Sequence, residues 1–159
     1  MKSNLLKLMY QHICGDSFNN NSKQILTIQN IVYLLHNMGF YVGKYGFSLD
    51  DGNMISFQLR DDILSTPPSF DLAVVDDFTS EAMKAFNFIK DSIKEKPHEY
   101  STHEWLSCLA TLYCFKYEFH YTDKNTLLSM FKKECPHLKN KEGNLRAIKW
   151  IDKIKNYEM

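Results

Sequence analysis

The stretch at 22–39, SKQILTIQNIVYLLHNMG, constrains the chain most. Ile25, Ile28, Ile31, Val32 and Leu35 recur at helical spacing, so they fall on one face of a helix over 23–38. Ser22 is the predicted N-cap, and Gly39 suits the left-handed position just past the C-terminus. The opposite side, expected to face outward, carries Gln29, Asn30 and Tyr33. Such an apolar face has to be covered by other elements.

The chain supplies several. Residues 3–13 form a short amphipathic helix with Leu5, Leu6, Leu8, Met9 and Ile13 as its apolar set. Residues 41–53, YVGKYGFSLDDGN, carry alternating aromatics and an Asp-Asp-Gly turn, which predicts one or two short strands. A helix at 56–65 follows, capped by Ser56, with Leu59 and Ile63 as its apolar pair; STPPS ends it. FDLAVVDDF at 70–78 fits a strand or a linker. Further helices are expected over 80–95, from Ser101 to about 120, and over 123–134 and 142–157. Ser101-x-x-Glu104 is a capping box. The expected fold is mainly α: a single compact helical domain of about six to seven helices, with a small hairpin or wing-like element near 41–55. One domain is expected over 1–159, with an N-terminal helical and wing half at about 1–70 and a C-terminal helical half at about 79–157.

Hydrophobic residues at 44% suffice for a packed core. Lys and Arg number 19, as do Asp and Glu, so no global field favours nucleic acid or a membrane. The balance hides a gradient: residues 1–80 hold 5 basic and 8 acidic side chains, leaving 14 and 11 for residues 81–159. No signal peptide opens the sequence, and no apolar run approaches the ~20 residues of a membrane helix. The cytoplasm is the expected compartment, with Cys14, Cys108, Cys114 and Cys135 reduced.

HEWLSCLATLYCF at 103–115 gathers a His and two Cys. On a helix the two thiols stand about 120° apart around the axis and ~9 Å apart along it, with Cys114 on the side opposite Trp105. A shared metal wants i,i+3 or i,i+4 spacing, so Cys108 reads as a small core residue. His12 with Cys14, and Cys135 with His137, form i,i+2 pairs without a ligand signature. The acid pairs Asp50-Asp51, Asp61-Asp62 and Asp76-Asp77 could bind Mg²⁺ in a nuclease, but each abuts a turn or helix end. There is no phosphate loop and no nucleophile elbow. No catalytic residue, metal or cofactor is expected.

An alternative partner is nucleic acid. Lys132, Lys133, Arg146, Lys149 and Lys153 would form a basic stripe ending on the last helix. The same residues fit a solvated face opposite Leu145, Ile148, Ile151 and Ile154. The helix, helix, β order also suggests a winged helix-turn-helix, whose reading helix would hold one cation, Lys23.

Four stretches in order resemble the small YwgA-like bacterial proteins: LTIQNIVYLLHNMGF, YGFSLDDGNMISFQLRDDI, HEWLSCLATLYCFKY and FKKECPHLKNKEGNLRAIKWIDKI, spanning roughly 22–155. Two positions depart from that pattern. The family's Gly-Pro-Tyr-Ser stands here as Gly52-Asn53-Met54-Ile55-Ser56, and its Lys in the first stretch as Asn30. These proteins look distantly related to the SocA/Panacea antitoxin domain, which neutralises toxins by direct binding. The resemblance implies a non-enzymatic protein-binding module: a toxin-neutralising, phage-defence or counter-defence component linked to mobile elements. Its partner would be another protein, with self-association a further possibility. The expected surface is Tyr45, Phe47, Asp50, Asp51, Met54, Ile55 and Phe57, with the adjoining face of 29–37.

Overall fold

The computed structural model describes residues 3–65 and 78–158. Seven α-helices, one π-helical turn and one two-stranded hairpin lie among them, a mainly α architecture. The helices are α1 (Ser3–Cys14), α2 (Ser22–Asn37), α3 (Phe57–Leu64), α4 (Ser80–Ile93), α5 (Thr102–Tyr113), α6 (Lys124–Glu134) and α7 (Lys141–Lys155). The expected strand or linker at 70–78 lies outside the described residues except for Phe78, and so does the pair Asp76-Asp77.

Helix starts follow local chemistry closely. Ser56 caps α3 by accepting from the Leu59 N–H, and Ser101 with Glu104 closes the reciprocal capping box of α5. Thr79, Asp123 and Asn140 do the same for α4, α6 and α7. Asn21 rather than Ser22 caps α2; its side chain accepts from the Gln24 N–H, and Ser22 becomes the first helical residue. Gly39 stands at φ +91°, the left-handed stop expected there.

α5 is the centre of the molecule. It packs against α2 on one side and α7 on another, while α1 packs against α3 and α4. Every residue from Trp105 to Phe115 is buried, so beyond its first turn this helix has no solvent face. Cys114, expected opposite Trp105, is therefore buried as well, and Cys108 sits in the core as expected. Beyond Tyr113 the backbone widens into a π-helical turn, Cys114–Glu118. The α-helix expected to run on to about 120 ends there.

The β element is shorter than the 41–55 expected. β1 (Ser48–Asp50) pairs antiparallel with β2 (Asn53–Ile55) across the two-residue loop Asp51-Gly52. Both loop residues take positive φ, 49° and 75°, as a type I′ hairpin turn requires. Residues 41–47 form no strand. They are held instead by side chains: the Tyr45 hydroxyl donates to the Asp62 carboxylate at 2.6 Å, and Phe47 packs edge-on against Tyr33.

Candidate functional site

A two-stranded hairpin leaves one edge of each strand without a partner. In β2 the pairing places Leu49 opposite Met54 in the non-hydrogen-bonded position, so the Met54 N–H points away from β1. α2 closes that edge. Asn30 accepts from the Met54 N–H at 2.9 Å and donates to the Asn53 side chain at 3.0 Å. Gln29 accepts from the Ser56 N–H at 2.8 Å. Both amides are buried, at 1% and 0% exposure for Gln29 and Asn30, and Tyr33 is buried beside them. The side of α2 expected to face outward is thus an inner face, because its polar groups satisfy a strand edge rather than water.

The hairpin tip is tied down from the opposite direction. The Gly52 carbonyl accepts from the hydroxyls of Ser107 and Thr111, one helical turn apart on α5. The Gly52 N–H donates to Glu134 at 3.1 Å. A turn that was expected to project as a docking surface is therefore fixed to three helices, α2, α5 and α6.

This reshapes the expected interface. Met54 is 1% exposed and belongs to the core, so it is not a surface anchor; its side chain lies on the inner side of a strand clamped to α2. Tyr45 and Phe47 are half-buried, and Asp50 and Asp51 are exposed. Ile55 is half-buried and Phe57 is 73% exposed.

The hairpin separates two recesses. Phe47, Leu49 and Met54 line a cleft of about 540 Å³ against the π-helical turn, with Phe115, Phe119 and Tyr121 on its other wall. Buried Tyr33 donates to Glu118 at 2.7 Å, and the Cys114 thiol donates to the other oxygen of that carboxylate. Burial first, then Glu118, pushes the Cys114 thiol up to about 12, so it is not a thiolate near neutrality. On the other side Asp50, Ile55 and Phe57 line a groove of about 460 Å³ with Ile25, Leu26, Arg60 and Leu64. Sequence reasoning missed Leu26, Arg60 and Leu64. The cue present was that Leu64 and Phe57 fall off the Leu59–Ile63 face of α3.

The other expected site residues lie apart. Lys132 and Lys133 are exposed on α6, and Lys149 is exposed on α7. Arg146 donates to the Glu95 carbonyl at 3.0 Å, and the Lys153 ammonium sits 4.3 Å over the Trp150 ring. Asp62 is occupied by Tyr45 and Gln58. Among the described residues no three His, Cys, Asp or Glu side chains are grouped to hold a metal. No helix among them is long and apolar enough to cross a membrane.

His36 links this region to pH. Its Nε2 accepts from the Val42 N–H at 3.3 Å, and the rings of Tyr41, Tyr45 and Phe47 surround it. Burial lowers its pKa below the ordinary 6.5. A depressed folded value means that the unfolded chain binds the proton first, so the His36 contribution is complete above 6.5 and is lost as pH falls toward the folded value. Burial, then Lys23, lowers His103 in the same sense. The urea midpoint should fall between about pH 7.5 and about pH 5.5, and by less in His36→Gln. An equal fall in the variant would remove His36 from this account.

Comparison with protein-family models, curated proteins and solved structures finds no match.

Proposed function

We propose that this chain acts by binding another protein, not by catalysis, through the groove between α2 and α3. The observation that carries this reading is its rim. Phe57 and Leu64 are 73% and 43% exposed, two of the four large hydrophobics exposed among the described residues. Both border one apolar recess with Ile55 and Leu26, and Asp50 and Arg60 frame it with one charge of each sign. Exposed aromatic and aliphatic side chains around a recess with a polar rim, here completed by Asn20 and Ser22, suit a protein interface. The framework beneath is rigid, since β2 is held by Gln29 and Asn30, so little ordering accompanies docking. That the partner is a toxin or a phage-defence component rests on the sequence resemblance alone, and a meeting in the cytoplasm rests on the lack of a signal-peptide pattern in the sequence.

The test is co-purification from the native cell with the full chain. A partner in stoichiometric amount is expected, with affinity lowered at least about tenfold by Phe57→Asp or Leu64→Asp. Both side chains are exposed, so the circular dichroism and melting of the variants should match the parent. If sedimentation shows a dimer that the same variants dissociate, the partner is a second copy. No partner and no dimer, or a partner indifferent to both variants, would overturn the reading.

A further inference from the structure

A second groove, of about 360 Å³, lies between α6 and α7 and shares no lining residue with the first. Its floor includes Phe131 and Leu138, recessed at 1% and 3% exposure. Lys132, Lys139 and Lys141 stand around it, and no Asp or Glu lines it. All three lysines are exposed, and neither ion pair among the described residues involves them. The remaining polar wall, Asn144, spends its amide inside the fold: it donates to the Leu138 carbonyl and accepts from Tyr100 and Cys108. Whatever enters therefore meets an apolar floor and three cations held in no ion pair.

We propose that this groove docks an acidic amphipathic segment of a partner protein, with apolar side chains on the floor and carboxylates against the lysines. Charge complementarity selects this occupant. A duplex would meet the cations but leave the apolar floor unfilled, and two further cations of the expected basic stripe, Arg146 and Lys153, are already engaged by Glu95 and Trp150. A flat bilayer surface cannot reach a recessed floor. A single fatty-acid carboxylate would answer one of the three lysines.

The experiment titrates the full chain with a synthetic amphipathic helical peptide that carries leucines on one face and glutamates flanking them. A second peptide replaces each Glu by Lys; oleate, phosphatidylglycerol vesicles and duplex DNA serve as the other probes. The glutamate peptide should bind saturably, shift the amide resonances of Phe131 and Leu138, and weaken on the order of tenfold in the Lys132→Glu, Lys139→Glu double variant. Lys132→Arg with Lys139→Arg should retain binding. Overturning results are no binding at low salt, equal binding of both peptides, or tighter binding of oleate, vesicles or DNA through the same lysines. The Phe57 and Leu64 variants should leave this titration unchanged, so either groove can fail without the other.

Discussion

Gly52→Ala is expected to destabilise the fold by roughly 2–4 kcal/mol, because two independent costs meet at one atom. Gly52 holds φ +75°, where a side chain is strained, and a Cβ there would lie 2.8 Å from the Cys135 sulfur. Neither neighbour gives way readily. Cys135 is buried with no long side chain to swing aside, and the Gly52 carbonyl is held by Ser107 and Thr111. Shifting the tip would leave those two buried hydroxyls without their acceptor. Denaturant midpoints at constant slope measure the loss. Cys135→Ala in the Gly52→Ala background should recover the steric part and leave the φ part, giving a coupling of about 1–2 kcal/mol in the double-mutant cycle. A loss below about 0.5 kcal/mol would mean that the tip moves freely, and that the clamp has no energetic weight.

The same tip shows what local chemistry reveals and what it hides. The Asp-Gly loop, the Ser56 cap and the Ser101–Glu104 box are legible because each is decided within a few residues, by φ preference or by one side chain returning to a nearby N–H. The side of α2 is not legible in that way. Periodicity sends polar side chains outward, and Gln29, Asn30 and Tyr33 obey that rule only if water is their partner. Here their partners are a strand 23 or more residues away and Glu118, contacts between distant parts of the chain that no spacing encodes. Ser107 and Thr111 carry the same hidden message on α5. Two hydroxyls at i,i+4 inside an otherwise apolar helix are the available cue that something polar approaches that face. The π-helical turn has no cue of this kind, and it is what ends the regular α-helical spacing past Tyr113. At the groove, Phe57 was legible as an apolar residue beside a turn. Met54 looked equivalent and points the other way: Ile55, next to it on β2, lines this groove with Phe57, and adjacent residues of a strand face opposite sides.

Asn30→Leu should cost about 2–3 kcal/mol, although it replaces a polar side chain by an apolar one of similar size in a fully buried site. Hydrophobicity alone argues for a gain. The deciding quantity is the Met54 N–H, which sits in a residue 1% exposed and has Asn30 as its acceptor on the edge facing away from β1. Leaving that donor buried and unpaired outweighs the transfer gain of the leucine. Asn53 suffers less, being half-buried and able to turn toward water. Gln29→Leu repeats the logic one residue earlier, at the Ser56 N–H. Because Gln29 and Asn30 hold the same edge, the double variant should lose less than the sum of the singles: once the first clamp is gone, β2 can lift and hydrate. Amide exchange separates this account from a general loss of packing. In Asn30→Leu, Met54 and Ser56 should exchange faster by a larger factor than core amides of α5 such as Leu109, since the opening is local to the strand. Uniform acceleration across both elements would assign the loss to global stability, and unchanged protection at Met54 would show that the amide of Asn30 is not what holds the hairpin.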